Sequence, residues 1–327
     1  MSLNNRDRHS ADTKRSHVMS GICQNRVVVI TGAGRGIGRG HALEFARQGA
    51  KVVVNDVGAR VDGDGSSTGP AGEVVEQIRA EGGEAIADGS DVADEAGARR
   101  LIESAIETYG DLHVLVNNAG ILRDRMIVNM TPDEWDAVIR VHLRGSFLPL
   151  HFASRYWRDR AKAGETVDAR VINTTSSSGI YGNIGQANYG AAKAGLASMT
   201  VIAAMELARY GVTVNAIAPG ALTRMTENLG ANATRLKPEP GTFSPSDPDN
   251  VAPLVVWLGS SESSDITGRV FNIRGGSISV AEGWRAGPEK DNGARWDPSQ
   301  LGSVVPELVA RAAGNASMNG KVPETVS

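Results

Sequence analysis

The strongest constraint on this chain is a rhythm: short Val- and Ile-rich runs, with stretches of helical spacing between them. RVVVIT (26–31), KVVVND (51–56), EAIA (84–87), HVLVNN (113–118), ARVINTT (169–175), VTVNAIA (212–218) and RVFNIR (269–274) are nearly continuous in apolarity. Strands of that kind are buried on both faces, as in a parallel sheet. Between them, GHALEFARQG (40–49) and AGARRLIESAIETYG (96–110) read as amphipathic helices. The alternation predicts an α/β fold, doubly wound around one seven-stranded parallel sheet. Such a sheet uses residues 20–310, so one domain is expected there. Polar, disordered extensions are expected over 1–19 and 311–327. Two segments break the rhythm and read as loops: 58–73, rich in Gly, Asp and Ser, and 234–250, with four prolines.

Composition narrows the function classes. A net charge of −3 over 327 residues gives no electrostatic case for nucleic acid or an anionic membrane surface. No apolar run approaches the roughly 20 residues that span a bilayer. The single cysteine, Cys23, excludes an internal disulfide framework and fits a reducing cytoplasm, the expected location. The histidines are scattered, without metal-site spacing, so no metal is expected.

TGAGRGIG (31–38) places a glycine turn directly after the first strand, with Gly32, Gly36 and Gly38 in a G-x3-G-x-G spacing. Glycines there let backbone approach a pyrophosphate, and the next helix offers its N-terminal N–H groups to it. Asp56 closes the second strand, where a carboxylate hydrogen-bonds a ribose hydroxyl and repels a 2′-phosphate. Arg35, beside the turn, pulls toward a 2′-phosphate; Asp56 decides for NAD.

Farther along, SSSGIYGNIGQANYGAAK (176–193) puts Tyr189 and Lys193 one helical turn apart, on one face. An ammonium beside a phenol lowers its pKa from about 10, which suits the phenol to exchange a proton with an alcohol. Ser176, at the end of the fifth strand, is placed to hold the substrate oxygen. The helix after Tyr189 is small and apolar nearly all round, which points to packing between subunits.

TGAGRGIG, NNAG (117–120), the serine-rich turn, YGAAK (189–193) and APG (218–220) together resemble the short-chain dehydrogenase/reductase family, in order and approximate spacing, over residues 25 to about 276. The resemblance implies a Rossmann fold with Ser176, Tyr189 and Lys193 as catalytic residues and NAD as cofactor. It implies cofactor contacts at Gly32, Arg35, Gly36, Ile37, Gly38, Asp56, Asp91, Val92, Asn118, Ala119, Gly120, Tyr189, Lys193, Pro219, Gly220 and Thr223. It also implies a homodimer or homotetramer. One departure stands out: VHLRGSF carries His142 where the family often has an Asn whose main chain bends a helix and holds a water near the lysine.

RDRMI, EWDAVIRVHLRGSF, SGIYGNIGQANY and TRMTE further resemble the hydroxyacyl-CoA dehydrogenase region of peroxisomal multifunctional enzyme type 2 and its bacterial stand-alone relatives. That implies oxidation of a (3R)-hydroxyacyl-CoA, an ester of a lipid or a steroid side chain. Arg123, Arg125 and Arg224 are candidates for the CoA phosphates, and loops 121–130 and 222–250 with GWRAGPEKDNGARW (283–296) for shaping the acyl site. The alternatives are a hydroxysteroid or general secondary-alcohol dehydrogenase and, in another class, a non-catalytic dinucleotide-sensing protein.

Overall fold

The computed structural model describes residues 21–58, 69–221 and 242–322. Thr223 and Arg224 lie outside the described residues, as do residues 1–20. Eight strands form one sheet in the order β3-β2-β1-β4-β5-β6-β7-β8. They are β1 (Val27–Thr31), β2 (Lys51–Asn55), β3 (Glu84–Asp88), β4 (Val114–Asn117), β5 (Ala169–Thr174), β6 (Val212–Pro219), β7 (Val270–Arg274) and β8 (Ser277–Ala281). The first seven are parallel, as the sequence predicts. The eighth is a correction. It returns antiparallel to β7 across the pair Gly275–Gly276, with Arg274 opposite Ser277. Its side chains are mostly exposed, so it lacks the continuous apolar run that marks a buried strand.

The strand side chains alternate between two apolar layers. Val28, Ile30, Val52, Val54, Val114 and Val116 pack with α1 (Gly36–Arg47), α2 (Pro70–Ala80) and α8 (Ala252–Gly259). Val27, Val29, Val53, Leu115, Val171 and Val214 pack with α3 (Glu95–Tyr109), α5 (Gly145–Lys162) and α7 (Ala187–Leu207). Both faces are thus covered, which is why these strands are rich in Val, Ile and Ala and why their polar residues, such as Arg170, Asn173 and Asn215, are themselves buried.

The strand order reverses between β1 and β4, because successive crossovers leave in opposite directions there. A crevice opens at the carboxyl ends of the strands on that side, the usual binding place in such sheets. Between α4 (Pro132–Ile139) and α5 the chain forms a π-helical turn, Arg140–Arg144. A further helix, α9 (Leu301–Arg311), precedes a turn at residues 317–321.

By length and composition α7 and the turn that continues it, Ala187–Tyr210, would reach across a membrane, contrary to the expectation from apolar runs. In the fold one face of α7 lies on the sheet, and Val201, Ile202 and Met205 on another are exposed.

Candidate active site

One cleft of about 1280 Å³ opens over the strand ends. Its first part is the turn after β1. Gly32 and Gly36 adopt positive φ, +62° and +54°, which L side chains rarely do. A Cβ on Gly38 would stand 2.3 Å from the Gly32 carbonyl oxygen. The turn is held from behind. Asn118 Nδ2 donates to the carbonyls of Thr31 and Gly32, at 3.0 and 3.1 Å, and Thr31 Oγ1 accepts from the N–H groups of Asn118 and Ala119. Among the described residues no side chain caps the N-terminus of α1, so its N–H groups are left for a ligand. Asp56 accepts N–H bonds from Gly34 at 3.2 Å and Gly58 at 3.0 Å, which fix its carboxylate on the cleft wall. Arg35 lines the same wall. This cradle fits a dinucleotide: bare glycines for the pyrophosphate, helix N–H groups beside it, and a carboxylate for a ribose.

The second part is the end of β5 and the start of α7. Ser176 caps α6 (Ser177–Tyr181), accepting from the Ser178 N–H at 3.2 Å, and lines the cleft with Tyr189. Asn188, fully buried, accepts from the Tyr189 N–H at 2.7 Å and donates to the carbonyls of Arg123 and Glu134. The first turn of α7 is thereby pinned to the loop after β4 and to α4. Lys193 is buried, 5.5 Å from the centre of the Tyr189 ring, and Nζ donates to the Thr174 carbonyl.

The electrostatics differ from the sequence expectation. Burial pushes Tyr189 up, and the neighbouring Ser176 hydroxyl offsets that only in part. Burial pulls Lys193 down to about 7. Spacing of i and i+4 brings the two groups together, but both charges must first leave water. Desolvation therefore dominates in the protein alone.

Of the residues named from sequence, Gly32, Arg35, Gly36, Ile37, Gly38, Asp56, Asn118, Ala119, Gly120, His142, Ser176, Tyr189, Lys193, Pro219 and Gly220 all line this cleft. Asp91 and Val92 do not. Val92 is buried, and Asp91 pairs with Arg140 at 2.6 Å, which holds its carboxyl below the usual range against the cost of burial. Two of the arginines proposed for CoA phosphates also lie off the cleft. Arg125 is bound to the carboxylate of Glu134, with contacts of 2.8 and 3.0 Å, and Arg123 donates to its neighbour's carbonyl. The sequence reading missed Tyr181, Gln186, Arg274 and Met318, all on the cleft wall. Gln186 stands three residues before Tyr189, inside GQANY; its amide oxygen accepts from Ser178 and Asn183, and its amide nitrogen donates to Asp124.

His142 belongs to the π-helical turn and is 1% exposed. Its Nε2 lies 2.7 Å from the Ile121 carbonyl and 3.1 Å from the Ile121 N–H. Its ring meets Tyr189 edge-on, with centres 5.2 Å apart.

A short chain dehydrogenase model matches residues 26–234. Hydroxyacyl-CoA dehydrogenase ChsB1 of Mycobacterium tuberculosis is 42% identical over 296 residues, which is 87% of this chain and 89% of that protein. Peroxisomal multifunctional enzyme type 2 of Mus musculus is 43% identical over 253 residues, 77% of this chain but 32% of that longer protein. A solved short chain dehydrogenase from Mycobacterium avium is 53% identical, with a TM-score of 0.82, over 91% of this chain and 99% of that one.

Proposed function

This chain belongs to the short chain dehydrogenase family and is an oxidoreductase, and we propose that it oxidises a (3R)-hydroxyacyl-CoA with NAD. The observation that carries the reaction type is the shared cleft: Ser176, Tyr189 and Lys193 line it together, with Lys193 Nζ 5.5 Å from the centre of the phenol ring and a dinucleotide cradle alongside. The substrate class is supported by the names of the relatives, a hydroxyacyl-CoA dehydrogenase and the multifunctional enzymes. Asp56 supports NAD over NADP, because its carboxylate stands where a 2′-phosphate would be repelled.

Each side chain has a separate task. The glycine turn and the open N-terminus of α1 bind the dinucleotide phosphates, and Asp56 binds a ribose hydroxyl. The bound dinucleotide supplies the hydride acceptor. Ser176 donates a hydrogen bond to the substrate oxygen and orients it. Tyr189, as phenolate, takes the hydroxyl proton. A charged Lys193 and the positive nicotinamide ring both favour that phenolate, against the burial that raises its pKa in the protein alone. With the oxygen fixed by two hydroxyls and the hydride leaving toward one face, the third substituent enters from one side, so stereochemistry is strict. The exposed Val201, Ile202 and Met205 on α7 support assembly into a homodimer or homotetramer.

The test is a kinetic panel: R and S 3-hydroxyacyl-CoA, the free hydroxy acids and a hydroxysteroid, each with NAD and NADP. The R thioester with NAD is expected to give the highest kcat/KM. Equal rates for both enantiomers, or a preference for the free steroid alcohol, would overturn the thioester reading in favour of a general secondary-alcohol dehydrogenase. A preference for NADP would overturn the role given to Asp56 and make Arg35 the better guide.

A further inference from the structure

Among the described residues, the Lys, Arg, Asp and Glu side chains that line the cleft are Arg35, Asp56, Lys193 and Arg274. Arg35 and Asp56 flank the dinucleotide cradle, and Lys193 is buried against the Thr174 carbonyl. Arg274, the last residue of β7, is exposed, and no carboxylate or carbonyl among the described residues engages its guanidinium. Its stem is nevertheless fixed. A Cβ on Gly220 would stand 3.1 Å from Arg274 Cγ and 3.2 Å from its Cβ and Cδ, so the aliphatic chain lies against the backbone at the end of β6. The turn that follows is held as well: Gly275 has a φ of +54°, and a Cβ there would stand 3.0 Å from Pro245 Cα. A stem with little freedom lowers the entropy lost when the guanidinium grips a ligand.

The surface around Arg274 is polar. Side chains directly opposite in an antiparallel pair share a face, as do residues two apart on one strand. Arg274 stands opposite Ser277, and Asn272 opposite Ser279, so these residues form one patch, and all of them line the cleft. Asn272 Nδ2 donates to the Tyr181 hydroxyl and to Ser279 Oγ, while its Oδ1, shielded from solvent, has no hydrogen-bond partner among the described residues. A buried acceptor left open costs free energy, so it points to a donor that comes with a ligand. An acyl chain offers neither a donor nor an anion. Distance separates the patch from the dinucleotide phosphates. β7 stands four places from β1 in the sheet, about 19 Å at about 4.8 Å a strand, which is more than an arginine side chain spans. β5, just before Ser176, is two places away, about 10 Å. An anion held by Arg274 therefore belongs to the substrate, at some remove from the reacting oxygen.

We propose that Arg274 is a specificity-determining residue that grips an oxyanion of the substrate, the phosphates of its coenzyme A part, while the β7–β8 patch takes the amide-bearing arm. This rests on the dehydrogenase reading and deepens its thioester form. Outward from a thioester, coenzyme A presents amides first and phosphates after them. Asn272 lies deeper along β7 and Arg274 at its end, in the same order. The guanidinium takes two oxygens of a phosphate through parallel N–H bonds, and it takes a carboxylate by the same fork. The arms of the experiment separate those two sources.

The substrate pair is an R 3-hydroxyacyl-CoA and the N-acetylcysteamine thioester of the same acid, which keeps the thioester and an amide but carries no phosphate. The unaltered enzyme is expected to favour the CoA thioester in kcat/KM by about 10-fold or more, with a KM that rises with salt. In Arg274→Gln that preference is expected to fall about 10-fold, mostly through KM, and in Arg274→Lys by less, because Lys keeps the charge and loses the fork. Dinucleotide affinity, read by fluorescence titration, is expected to stay level and reports an intact cradle. An equal loss for both thioesters, or none for either, would overturn the proposal. So would a KM for the CoA thioester that does not move with salt in the unaltered enzyme, a result that needs no variant. If neither thioester is oxidised, the thioester reading fails by itself, and the comparison passes to a free hydroxy acid and its amide. A preference for the acid that Arg274→Gln erases would keep Arg274 as the anchor, with a carboxylate as its ligand. No preference for the acid, or one that survives the substitution, would overturn it.

Discussion

His41 offers a test of the fold that needs no substrate. It sits on α1 with 0% exposure, and neither ring nitrogen has a partner among the described residues. Burial pushes its pKa down to about 3. In the unfolded chain an imidazole titrates near 6.5. Between those values the unfolded chain binds a proton that the folded chain refuses. Stability from this group is therefore intact above about pH 6.5 and is lost progressively as the pH falls toward 3. At pH 5, about 1.5 units below the unfolded value, the loss is about 2 kcal/mol. His41→Leu removes the titration, keeps a good helix former and nearly conserves volume. It also removes two unsatisfied nitrogens, a gain independent of pH of about 1–3 kcal/mol. Urea unfolding, followed by far-ultraviolet circular dichroism at fixed protein concentration, is to be run on both proteins at pH 7.5 and 5.0. The variant's advantage is expected to be about 2 kcal/mol larger at the lower pH. His142, equally buried, is present in both proteins and cancels. An advantage of the same size at the two pH values would refute a neutral buried His41.

Two further outcomes bear on the site. Tyr189→Phe is expected to lower turnover by about 10²–10⁴-fold or more while dinucleotide affinity, read by fluorescence titration, is kept; retention of most activity would remove the phenol from the mechanism. In Gly38→Val the new Cβ falls 2.3 Å from the Gly32 carbonyl oxygen and 2.6 Å from Asn118 Nδ2. The turn must open, so dinucleotide affinity is expected to drop at least about 10-fold, and unchanged affinity would place the dinucleotide elsewhere.

The seven parallel strands were legible because burial on both faces leaves nearly continuous apolar runs, as in Val27–Thr31, and in Val212–Pro219 even Thr213 and Asn215 are buried. The grouping of the candidate catalytic residues in one cleft was legible for a related reason. Tyr189 and Lys193 are joined by helical spacing, and Ser176 by its place at the end of β5, so local geometry sets the site. What spacing does not carry is desolvation. The same burial that brings Lys193 beneath Tyr189 pulls the lysine down and pushes the phenol up, opposite to what the pair suggests in water. Nor does spacing carry competition for a charge. Arg125 and Glu134 are nine residues apart, and they meet because Glu134 closes the capping box of α4 with Thr131 and presents its carboxylate to the loop.

The substrate wall shows the same limit most sharply. The sequence points to GWRAGPEKDNGARW, with loops 121–130 and 222–250, for shaping the acyl site. None of residues 283–296 lines the cleft, and Trp284 is 101% exposed. The wall is built instead by Ser277, Ser279 and Val280 of β8 and by Met318, Asn319 and Gly320, from the tail that the sequence sets apart as disordered. Their place follows from two linked contacts. Asn272 on β7 donates to the Tyr181 hydroxyl at 3.2 Å, and the Gly320 backbone packs so closely on that hydroxyl that a Cβ would stand 3.1 Å from it. Tyr181 ends the helix that Ser176 begins. Ser176, proposed to orient the substrate oxygen, and the cleft wall of β8 and the tail are thus tied through one phenol. A change in the tail can therefore reach the reacting atoms, although none of its residues carries a recognisable motif.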